Sequence, residues 1–139
     1  MLKNIPSILS PDLLKTLMEM GHGDEIVLAD GNFPSASNAQ RLIRLDGHGI
    51  PAILDAMLKF FPLDPYVDNP VTLMAVTPGD PYVPEIKDVY RKIIAKHDNA
   101  TAEDIERFAF YERAKKAYAI VATGEEALYA NIILKKGVV

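Results

Sequence analysis

The strongest constraint on this chain is Ile26-Val27-Leu28-Ala29, an apolar run with no polar alternation. A strand with one face in water alternates apolar and polar side chains, so an unbroken run belongs in a sheet covered on both faces. Such runs recur at Val71 to Val76, Tyr118 to Ala122 and Asn131 to Leu134, with a shorter strand expected at Leu42 to Leu45 between Arg41 and Asp46. Helical spacing separates them. Ser10-Pro11-Asp12 supplies a cap, a first-turn proline and an acid for the positive end of a helix dipole, followed by Leu13, Leu14, Leu17 and Met18 on one face. Gly21 stands where a left-handed terminating residue is wanted. Ile50, Ile53, Leu54, Met57, Leu58 and Phe61 trace a second helix that Pro62 stops. Ile86, Val89, Tyr90, Ile93 and Ile94 mark a third, and about Phe108 to Ala117 a fourth. The expected fold class is α/β: a single domain spanning 1–139, with a mixed, mainly parallel sheet and helices on both faces.

Size and charge narrow the function. A chain of 139 residues folds as one domain, burying about two-thirds of its surface. Fifteen Lys and Arg against nineteen Asp and Glu leave a net charge of -4, the wrong sign for a polyphosphate, so nucleic-acid binding is not expected. The absence of cysteine excludes disulfides, thiolate zinc sites and cysteine nucleophiles, and fits a reducing compartment; the cytoplasm is the expected location. Met1 to Ser10 is broken by Asn4 and Pro6 and does not read as a signal peptide, and no apolar stretch approaches the roughly 20 residues of a membrane span.

Ligands of covered sheets bind in the loops at strand ends. The sharpest local feature is Gly21-His22-Gly23-Asp24, where an imidazole able to exchange protons near neutrality sits between glycines in a helix-to-strand turn. A polar turn residue is the plainer account. His22 with Asp24 also resembles half a metal site, but no second histidine or familiar ligand spacing accompanies it, so no metal is expected. Asp30, at the exit of an apolar strand, is placed to accept hydrogen bonds from a polyol, although an acid ahead of Gly31 is also an ordinary turn former. His48 reads as a helix-entry residue and His97 as a solvated helix end. The aromatic and cationic segment Arg107 to Ala117 is diluted by Glu103, Asp104, Glu106 and Glu112, so a half-buried helix suits it better than base stacking. Tyr129-Ala130-Asn131 offers a hydroxyl, an amide and backbone groups ahead of a strand. No phosphate-binding loop, dinucleotide glycine pattern, nucleophile elbow or zinc-protease motif occurs, so any reaction is expected to need no cofactor.

Taken in order, Gly21-His22-Gly23-Asp24, Val27-Leu28-Ala29-Asp30, Asn32-Phe33-Pro34, Arg107 to Arg113 and Tyr129 to Leu134 closely resemble the ribose pyranase and fucose mutarotase family, in particular its L-fucose branch. The likeness covers essentially the whole chain. It implies a single sugar mutarotase domain: an isomerase that interconverts the anomers of a free monosaccharide, L-fucose and possibly D-ribose, without metal or organic cofactor. It also implies that His22 is the proton donor, that Asp30, Arg107, Tyr129, Ala130 and Asn131 bind sugar, and that the chain forms a homo-oligomer, typically a decamer of two stacked pentamers with pockets at subunit contacts. The ribose branch usually has histidine at the position of Arg107 and Gly-Leu-Pro at Asn32-Phe33-Pro34, so both positions favour fucose. Gly31 departs from the alanine common in the fucose branch, which should loosen the loop after Asp30. D-Ribose pyranase activity and a non-catalytic sugar-binding scaffold are the competing readings.

One tension accompanies these roles. If Glu25 to Ala29 is a straight strand, His22 and Asp30 lie beyond opposite ends, roughly 16 Å or more apart at about 3.3 Å per residue. A monosaccharide does not bridge that distance. Either the strand is short and its flanks curl together, or one pocket draws on two subunits.

Overall fold

Strand β1 (Glu25–Ala29) is the apolar run, and Ile26 through Ala29 are fully buried. The computed structural model describes residues 1–139. Around β1 it places β2 (Leu42–Leu45), β3 (Val71–Met74), β4 (Ala102–Ile105), β5 (Ala119–Thr123) and β6 (Ile132–Lys135) in the order β2-β5-β1-β6-β3-β4. Pairings β1–β5, β2–β5 and β3–β4 are parallel, whereas β6 runs antiparallel to both β1 and β3. The sheet is therefore mixed and mainly parallel, and the α/β expectation holds.

Side-chain alternation divides the core between two faces. Ile26, Leu28, Ile132 and Leu134 join the larger cluster with residues of α1 (Pro11–Glu19), α3 (Ile50–Met57) and α4 (Ile86–His97). Val27, Ala29, Ile120 and Ile133 face the other way, onto Phe110 and Ala114 of α5 (Arg107–Lys116) and Phe33, just before the short helix α2 (Ser35–Asn38). Covering both faces is what makes a run without alternation stable.

Local signals worked where their chemistry is local. The Ser10 side chain accepts the Leu13 N–H at 3.2 Å and Pro11 opens α1, as the cap pattern predicts. The one-turn helix α2 was not expected, α3 ends at Met57 rather than running to Phe61, and two strands differ. Strand β3 ends at Met74 rather than Val76, because its register with β6 runs out at Ile132 and with β4 at Ile105. The unpredicted β4 is an edge strand whose charges go to opposite faces: Asp104 meets the buried Lys87 ammonium at 3.0 Å, and Glu103 lies 3.5 Å from the Arg113 guanidinium. Edge strands carry such charges more readily than inner ones.

The turn after β5 is built on Gly124, whose N–H donates to the His48 carbonyl at 2.9 Å. A Cβ there would come within 2.1 Å of the Asp46 carbonyl oxygen. Gly124→Ala should therefore destabilise the protein by about 1–3 kcal/mol through overpacking, read as a lower urea midpoint at unchanged slope.

Candidate active site

Asp30 leaves β1 as Asn131 enters β6, and the two are cross-linked. The Asp30 N–H donates to Asn131 Oδ1 at 2.8 Å, and Asn131 Nδ2 donates to Asp30 Oδ2 at 3.0 Å. The Asn32 N–H binds the other carboxylate oxygen at 3.0 Å. Asp30 is only 7% exposed, and this burial pushes its carboxyl pKa up, against the opposing pull of the Asn32 and Phe33 amides and the Asn131 amide. Gly31 and Thr123 pin the backbone from below: the Gly31 N–H donates to the Glu125 carbonyl at 2.9 Å, and Thr123 Oγ1 donates to the Ala29 carbonyl at 2.8 Å.

Above this pair lies a cleft of about 280 Å³ whose walls include Asp30, Phe33, Asp80, Arg107, Tyr129 and Asn131. It suits one small polar ring rather than a drug-sized ligand. Arg107, the first residue of α5, is exposed, with its guanidinium 4.9 Å from the Phe108 ring centroid and 5.8 Å from that of Tyr111. Tyr129 adopts a left-handed backbone (φ 56°), unusual for a residue other than glycine. Next to it the fully buried Tyr90 hydroxyl donates to the Ala130 carbonyl at 2.7 Å. Burial, with the charges of Glu125 and Asp30, pushes the Tyr90 phenol well above its ordinary range, so it remains a donor. Four of the five expected sugar-binding residues thus line one cleft, and Ala130 lies buried behind it.

His22 is elsewhere. It sits on the loop from α1 to β1, where Gly23, rather than the expected Gly21, takes the left-handed conformation (φ 86°). The loop is clamped to the far end of β6: the Gly23 N–H donates to the Lys136 carbonyl at 2.8 Å, and the Lys136 N–H donates to the Asp24 carbonyl at 2.8 Å. Lys136 Nζ in turn binds the Leu17 and Met20 carbonyls at the end of α1. The half-exposed imidazole places Nε2 3.1 Å from Asp64 Oδ1, and Asp64 is buried. The Tyr66 amide, and after it His22, hold the Asp64 carboxyl below its usual range. With Nε2 engaged, Nδ1 is the nitrogen left free. The ring also borders an apolar groove of about 580 Å³ that includes Leu17, exposed Met18, Phe60 and Val138.

Because β1 keeps all five residues, the flanks do not curl together, and His22 and the Asp30 cleft stand at opposite ends of β1 and β6. Asp64 was not among the expected residues. It follows Pro62-Leu63 in a loop without a motif, and only the Leu63–Lys136 bridge, long in sequence, brings it under the imidazole.

Known proteins match this arrangement from end to end. The model of the RbsD / FucU transport protein family matches residues 3–139. This chain belongs to that family. Among RbsD/FucU relatives, the chain is 53% identical over 147 residues to the fucose mutarotase of Homo sapiens, covering 99% of this chain and 94% of the other. It is 49% identical over 140 residues to an L-fucose mutarotase of Actinobacillus pleuropneumoniae, covering 99% and 97%. A crystal structure of the fucose mutarotase from Streptococcus pneumoniae in complex with L-fucose superimposes with a TM-score of 0.95 at 62% identity, covering 99% of each chain. The RbsD/FucU fold therefore holds across the whole sheet, including both ends where the candidate residues lie.

Proposed function

We infer that this protein interconverts the α and β anomers of free L-fucose by opening and reclosing the sugar ring. The observation that carries this reading is the full-length likeness to a relative crystallised with L-fucose, at 62% identity. The cleft supports it chemically: carboxylate, guanidinium, phenol and amide groups surround a volume suited to one monosaccharide.

His22 donates a proton to the ring oxygen as the C1–O5 bond breaks, and the O1 hydroxyl gives up its proton to water. The aldehyde rotates about C1–C2, and O5 attacks its other face, returning its proton to His22 while O1 regains one from water. Asp64 accepts from Nε2 and fixes the ring, leaving Nδ1 as the donor. Asp30, Arg107, Tyr129 and Asn131 hold sugar hydroxyls, and Ala130 supplies backbone that Tyr90 keeps in place. No metal or organic cofactor enters this sequence of steps.

Separation of His22 from the cleft supports a composite site, in which His22 of one subunit meets the Asp30 cleft of its neighbour. An asymmetric contact of this kind forms a ring when its rotation closes, which fits the homo-oligomer, a decamer of stacked pentamers, that the family resemblance implies; the cytoplasm is the proposed location. Exposed Met18 and the apolar groove beside His22 suit burial in such a contact.

Saturation-transfer NMR tests the reaction. Irradiating the α-anomeric proton of L-fucose should reduce the β signal in proportion to protein concentration. Exchange confined to D-ribose would replace this reading with a ribose pyranase, and binding of L-fucose without exchange would replace it with a sugar-binding scaffold.

A further inference from the structure

The loop from Pro78 to Pro84 is absent from every role assigned so far, yet it carries a carboxylate into the cleft. Left-handed Gly79 (φ 90°) turns the chain, and the Asp80 N–H donates back to the Thr77 carbonyl at 3.0 Å. Asp80 Oδ1 then accepts the Tyr82 N–H at 2.9 Å, and Oδ2 accepts the Tyr129 hydroxyl at 2.6 Å. The Tyr82 and Tyr129 rings lie 6.0 Å apart at 37°, so loop and phenol are joined by packing as well as by the short bond.

This bond decides what Tyr129 offers a ligand. A phenol has one proton and accepts through its oxygen lone pairs. With its proton committed to Asp80, Tyr129 faces the cleft as an acceptor. Asp30 is an acceptor as well, whereas Arg107 and the second N–H of Asn131 are donors, and the Asn32 amide and Tyr111 hydroxyl that also line the cleft can act as either. A polyol brings several hydroxyl protons that need acceptors, and Tyr129 and Asp30 supply them.

We propose that Asp80 is a positioning residue for sugar binding: it fixes the Tyr129 hydroxyl as a hydrogen-bond acceptor and ties the Pro78–Pro84 loop to the site. The proposal rests on the L-fucose reading above. It acts through the binding cleft and leaves the proton donor His22 untouched.

A double-mutant cycle tests it, with Michaelis parameters for L-fucose taken from exchange rates at graded sugar concentrations. Asp80→Ala should raise KM about tenfold while kcat stays within about twofold, as loss of a charge-assisted hydrogen bond implies. Tyr129→Phe should do the same. The double variant should be no worse than about twice the poorer single, because both changes remove one shared contact. Asp80→Asn, which keeps an acceptor oxygen, should hold KM within about threefold of wild type. Three results overturn the proposal: an unchanged KM in Asp80→Ala, single effects that multiply in the double variant, or an asparagine variant as poor as alanine. The control separates the two levels. Wild-type protein that fails to accelerate exchange removes the L-fucose reading itself, whereas active wild type with multiplying single effects removes only the role of Asp80.

Discussion

Replacing His22 by alanine should slow anomer exchange of L-fucose by about 100- to 10,000-fold, equivalent to roughly 3–5 kcal/mol of barrier. That range is what a positioned general acid contributes, and the geometry explains why His22 should supply it. Its ring is held at one nitrogen by the buried Asp64 carboxylate and leaves the other free. The loss should fall on kcat with little change in KM, because the groups proposed to bind sugar hydroxyls line the Asp30 cleft. Folding should survive, since the side chain is about half exposed and makes one hydrogen bond. A His22→Ala protein with wild-type exchange would remove the imidazole from the mechanism.

What is legible in the sequence depends on the range of each interaction. Strand β1 was legible because burial on both faces writes itself into consecutive residues, and the start of α1 because Ser10, Pro11 and Leu13 are neighbours. Strand β4 was not, because Ala102–Ile105 reads as charged loop until Lys87 and Arg113 are seen to neutralise Asp104 and Glu103 from opposite faces. The site divides in the same way. Asp30 and Tyr129 to Asn131 stood out as polar groups at strand ends, and the family resemblance added Arg107. Asp64 and Asp80 carry no local mark. Each gains its meaning from a partner more than forty residues away, His22 in one case and Tyr129 in the other. Sequence spacing did expose the central difficulty, that a straight β1 separates His22 from Asp30, and the intact five-residue strand sharpens it.

The second large effect follows from that separation. His22→Ala and Asp30→Ala should each be nearly inactive alone, the first for want of a proton donor and the second for loss of the carboxylate that anchors Asn131. Co-expressed in equal amounts, they should recover activity. In a ring where every site takes His22 from one subunit and Asp30 from the next, random assembly leaves about a quarter of the sites with both side chains intact. The most direct measurement is therefore L-fucose exchange by the co-expressed variants, compared with each variant alone. Exchange near a quarter of the wild-type rate per subunit is the expected result. Exchange no greater than the average of the two inactive proteins would contradict it, because both groups would then have to act from the same chain.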